Sequence, residues 1–213
     1  MRALARILHV LAVGLWFGTS AFFTSVVGLS LFDTFEKATL LPAQDRPYWL
    51  PVPPALEKPP PSARFPEPLR KEQGSRLAGL AVGPMFTSYY LLQVVCGVVA
   101  GLTALAWVGR GGVHRLRLAV LALALAGAVS GWVLEGKVEA LREKRSETSD
   151  AVLTSTAPSA EQVHSADEAR AEFGTWHTYS LLFNFVALIL VAIAMALAAQ
   201  MPPTSERGSS APR

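Results

Sequence analysis

The chain has 213 residues, of which 51% are hydrophobic and 16% charged, with a formal net charge of +3. That is one domain by length, with far fewer charges than the roughly 25% of an average soluble domain. The basic residues are spread over loops and form no stripe alternating with aromatics, so nucleic acid is excluded as a partner. The single cysteine, Cys96, excludes a disulfide within the chain.

Charge-free blocks organise the chain. No Asp, Glu, Lys or Arg occurs in residues 7–32, 77–109, 118–134 or 173–205. Crossing ~30 Å of hydrocarbon takes about 20 residues at 1.5 Å each. The blocks therefore predict an all-α, integral membrane four-helix bundle of antiparallel up-down topology. The helices are expected at about 5–32, 84–108, 116–136 extending to about 145, and 173–200. The third block is short, and its ends can snorkel.

The first helix opens with "MRALAR", but its apolar run is about twice a signal-peptide core, which favours an anchored helix. Its basic leading flank favours a cytoplasmic N-terminus. A Pro-rich loop over 36–72 follows, holding ten of the fifteen prolines, a density that prevents regular helix. Residues 72–83 read as an amphipathic lead-in, with a restart at Pro84. A polar loop is expected over 146–171, and a disordered tail over 201–213.

Each helix carries one polar stripe. On the first, His9, Trp16, Ser20 and Phe23 share a face, opposite Gly14 and Gly18. On the second, Tyr89, Gln93 and Cys96 align. On the third, Glu135 continues the face of Gly127 and Gly131. On the fourth, His177, Ser180 and Asn184 fall together at i, i+3 and i+7. Polar groups at membrane depth need partners and mark functional sites. Small residues at GxxxG spacing let helices approach closely, and the same spacing would let a flat cofactor approach the backbone.

Consecutive helices are antiparallel, so Glu135 and His177 reach the same membrane face. They are expected to bond directly or through one water. Ser180 and Asn184 lie deeper in the same polar pocket, and Lys137 and Arg142 sit at its mouth. His9 lies at the opposite face, about 30 Å from His177, so the two cannot share a metal. No metal site and no catalytic set are expected. No phosphate-binding loop, GxSxG or HExxH motif is present.

The landmarks "LHVLAVGLWFGTSAFF", "RLAGLAVGPMFTSYYLL", "GWVLEGKVEALREKR" and "EFGTWHTYSLLFN" occur in this order. In them the chain resembles the transmembrane protein 205-like family of small four-helix membrane proteins. That family has no established activity, so the resemblance implies architecture. A looser likeness, through His9, Trp16 and Gly18, is to copper-resistance protein D-like and HemJ-type membrane proteins. The HemJ type implies heme b with His9 as ligand.

The leading expectation is a membrane binding, transport or accessory protein without a cofactor. Its surroundings are the bilayer, with a membrane-protein partner or a second copy left open. The alternatives are a HemJ-like heme oxidoreductase using His9 and a structural assembly subunit.

Overall fold

The computed structural model describes residues 2–57 and 71–201. The remainder, including most of the expected tail and residues 58–70 of the Pro-rich loop, lies outside the described residues. Among the described residues every regular element is helical. They are α1 (Arg2–Phe22), α2 (Leu29–Leu40), α3 (Pro54–Glu57), α4 (Glu72–Val82), α5 (Met85–Ala104), α6 (Gly112–Leu153) and α7 (Ala160–Ala198). A π-helical stretch, Phe23–Gly28, joins α1 to α2 without a break. A 3₁₀ stretch, Leu105–Arg110, follows α5.

Four helical rods are long and apolar enough to cross a membrane, by length and composition: Ala3–Leu40, Met85–Arg110, Gly112–Leu153 and Ala160–Ala198. The protein is thus an integral membrane protein built as a bundle of four spans. The spans close a ring, α1 on α5 and α7, α5 on α6, and α6 on α7. Gly111, at φ 145°, takes a conformation that side chains disfavour, and so turns the chain sharply into α6.

Small residues set the inner faces. Ala100, Ala104, Ala124, Ala128 and Ala194 are buried around Trp16 and Leu121. A Cβ on Gly97 would meet the Trp16 ring at 2.9 Å, and one on Gly131 would meet Tyr90 at 3.0 Å, so both glycines admit a large ring from the next helix. Gly14 and Gly18 behave otherwise. They are exposed on the outer face of α1, with nothing within 4 Å of an added Cβ, so they pack no helix of the bundle.

The polar loop expected over 146–171 is mostly helix. Six residues, 154–159, connect α6 to α7. At 1.5 Å per residue the 42 residues of α6 span about 63 Å, twice a bilayer's hydrocarbon, so α6 and α7 continue together beyond it. Buried Val152 and Ala166 hold this extension, and a capping box starts α7. There Ser159 Oγ accepts from the Gln162 backbone N–H at 3.1 Å, and Gln162 Oε1 accepts from the Ser159 N–H at 2.8 Å.

Stretches of the Pro-rich loop expected over 36–72 are also helical. Helix α2 runs on to Leu40, and Ala55 of α3 is fully buried against Val152 and Ala166. Helices α2 and α4 cross closely: a Cβ on Gly74 would stand 2.8 Å from the Phe35 carbonyl oxygen. The result is a second, polar-faced layer of α2, α3, α4 and the ends of α6 and α7.

Candidate functional site

Where this layer meets the membrane bundle it encloses a cavity of about 450 Å³. That size suits a small molecule. The inner end is polar and neutral, formed by Tyr89, Tyr90, Ser180 and Asn184. The walls are apolar, with Phe23, Leu29, Phe32, Phe86, Phe173 and Leu181. The outer end carries charges of both signs: Asp33, Glu36, Glu72, Arg76, Arg142 and Arg145.

Asn184 is fixed from two helices. Its Oδ1 accepts from the Tyr89 hydroxyl at 2.5 Å, and its Nδ2 donates to Thr24 Oγ1 at 2.6 Å. Thr24 lies in the π-helical stretch. A π turn inserts an extra residue per turn and so rotates the residues that follow. Here it brings Phe23, Thr24 and Gly28 to the cavity. Tyr90 and Ser180 oxygens stand 3.5 Å apart. Phe23 stacks on Tyr89 with centroids 4.3 Å apart. His177 lines the cavity with its ring stacked 5.3 Å from Phe173.

The expected partner of His177 is engaged elsewhere. Glu135 Oε1 accepts from Arg142 Nη2 at 2.8 Å, and no direct Glu135–His177 hydrogen bond occurs among the described residues. The two carboxylate-to-guanidinium positions are seven apart on α6, two turns, which a long arginine side chain bridges. Glu135 is buried but is not among the cavity-lining residues, whereas Arg142 is. Lys137 does not reach the mouth either: its Nζ stands 3.4 Å from the Trp176 ring centroid. The structure therefore brings Arg142, His177, Ser180 and Asn184 together and leaves Glu135 and Lys137 outside.

The charged end is locked internally. Arg145 holds the buried Glu72 carboxylate with both arms, Nε to Oε1 at 2.7 Å and Nη2 to Oε2 at 2.8 Å. Arg170 approaches the same carboxylate at 3.6 Å. Arg76 pairs with Asp150. Outside the apolar stretches, the exposed Lys144–Glu172 hydrogen bond holds the Glu172 carboxyl below its usual range and the Lys144 amine above it. Sequence reasoning missed Tyr89, Thr24 and the Glu72 network as parts of one site.

His9 lies at the other end of α5, fully buried. Its Nδ1 donates to the Ala100 carbonyl at 3.0 Å, with Thr103 Oγ1 also 3.0 Å away. A ring held this way is oriented like an axial ligand. Its setting does not fit a heme: Trp107 packs 6.2 Å from it, His9 and Arg117 have no exposed surface, and the cavity does not extend there. His9 and His114 gather no third metal ligand, and no group of three or more His, Cys, Asp or Glu residues could hold a metal among the described residues.

Fold and cavity together define the class, a multi-pass α-helical membrane protein with a mixed apolar and polar chamber at one end of its bundle. Compared with known proteins, the chain matches no family model, no curated protein and no solved structure.

Proposed function

We propose that the protein is a non-enzymatic membrane binding protein of transmembrane protein 205-like kind. Its cavity takes a lipid-like amphipathic molecule whose head carries no net charge. One observation carries this reading. The cavity joins apolar walls to an inner end of hydroxyl and amide groups. Its charged lining is balanced, with three arginines against three carboxylates, and at least Glu72, Arg142, Arg145 and Arg76 are already paired. An ionic head would need to break such a pair, whereas a neutral or zwitterionic head exchanges hydrogen bonds with Tyr90, Ser180 and His177.

A molecule of this kind enters from the bilayer or from the adjoining aqueous face, which suits carriage or sensing. The proposed orientation places the N-terminus in the cytoplasm and the cavity on the opposite side. Titration of the detergent-solubilised protein with fluorescent neutral, zwitterionic and anionic amphiphiles of equal chain length tests this. The neutral or zwitterionic probe should saturate one site. Leu181→Trp, which adds bulk to the chamber wall, should abolish that binding. Preference for the anionic probe, or binding that survives Leu181→Trp, would contradict the reading.

A further inference from the structure

A second set of polar groups lies apart from the cavity, near the opposite end of the bundle. Arg117 has no exposed surface, and its Nε, Nη1 and Nη2 have no hydrogen-bond partner among the described residues. Its neighbours are in the same condition: His9 Nε2 and His114 Nδ1 are buried and unpartnered. Trp107 gathers two of the three. The Arg117 guanidinium carbon is 5.5 Å from its ring centroid, and the His9 ring centroid is 6.2 Å away. His114 precedes Arg117 by one turn of α6.

A buried guanidinium with only a ring face for company is strongly disfavoured unless an anion accompanies it. Among the described residues no carboxylate is paired with it. We propose that Arg117, His9 and His114 form an internal binding site for a phosphate group that keeps a hydroxyl. Such a group is inorganic phosphate or a phosphomonoester, including the head of a monoester phospholipid.

The donor set selects this chemistry. The planar guanidinium fork matches two phosphate oxygens. His9 has given its Nδ1–H to the Ala100 carbonyl, so Nε2 of the neutral ring is an acceptor. It needs an O–H, which a phosphomonoester supplies and a phosphodiester lacks. His114 adds one more ring nitrogen. Among the described residues, Trp107, carried by the 3₁₀ stretch Leu105–Arg110, packs with Met201 and Ala198 at this end. Displacing Trp107 and Met201 opens the site at this end of the bundle.

The full-length protein in an uncharged detergent and phosphate-free buffer, followed by tryptophan fluorescence on heating, tests the site. Inorganic phosphate should raise the melting temperature saturably. Phosphatidic acid in mixed micelles should do so if a lipid is the source, and phosphatidylglycerol, a diester, should not. Arg117→Met keeps the volume, removes the charge and should abolish the shift. His9→Phe should weaken binding at least tenfold, which keeps the test decisive if Arg117→Met fails to fold. Leu181→Trp, in the separate cavity, should leave the shift unchanged. A shift with phosphate alone assigns a free ligand, and one with phosphatidic acid alone assigns a lipid. No saturable shift with either, an equal shift in Arg117→Met, or equal response to phosphatidylglycerol would overturn the proposal.

Discussion

Tyr89 and Asn184, 95 positions apart, meet through a 2.5 Å hydrogen bond at the inner end of the cavity. The Asn184 amide carries the contact on to Thr24, so one side chain ties α7 to α5 and to the π-helical turn after α1.

Asn184→Leu should therefore remove the amide partner of both the Tyr89 and the Thr24 hydroxyls. Leaving a buried polar group unsatisfied costs about 1–3 kcal/mol. Tyr89→Phe removes one bond and should cost less. In a double-mutant cycle of these two, measured by reversible unfolding in detergent, the coupling should be about 0.5–1.7 kcal/mol. Strictly additive losses would show that the bond does not operate.

Glu135 and Arg142 form a second coupled pair. Glu135→Ala and Arg142→Ala should show an interaction energy of about 0.5–3 kcal/mol. The cycle of Glu135→Ala with His177→Ala should give a clearly smaller value. The reverse ranking would restore a direct Glu135–His177 contact and exclude the arrangement in which Arg142 takes the carboxylate.

Glu72 is 2% exposed and faces two arginines. Removing one partner of a buried ionic set costs about 3–5 kcal/mol, because the remaining charges stay buried and unpaired. Glu72→Ala should lose that much by chemical denaturation. Arg145→Ala should lose a comparable amount, and the two together should lose less than their sum.

The crossing of α2 over α4 depends on a missing side chain. A methyl at Gly74 would press on the Phe35 carbonyl oxygen at 2.8 Å and on Glu36 Cα at 2.9 Å, both backbone. Backbone cannot turn aside, so Gly74→Ala should destabilise by about 1–3 kcal/mol. It should also weaken amphiphile binding, since α2 and α4 both line the cavity mouth. An unchanged melting temperature would contradict this crossing.

The spans were legible because charge-free runs are a direct consequence of hydrocarbon, and the stripe of His177, Ser180 and Asn184 followed from helical period alone. The partners of that stripe were not. Depth in the membrane puts Glu135 near His177, but Arg142 two turns along α6 reaches back to the carboxylate first, and side-chain reach has no sequence signature. Thr24 was hidden because the π turn rotates its neighbours off the 3.6-residue period. The continuation of α6 and α7 was overlooked because low hydropathy resembled a loop. Yet Ser159-Ala160-Glu161-Gln162 carries the S-x-x-Q pattern of a helix start, and Val152 and Ala166 bury the faces it brings together.

Native mass spectrometry of the protein released gently from membranes tests the proposed cavity most directly. The wild-type protein should carry one uncharged or zwitterionic amphiphile, and the Leu181→Trp protein, equally folded, should carry none. A wild-type protein that emerges free of any such molecule, and that takes none up when neutral and zwitterionic lipids are supplied, would contradict the binding function.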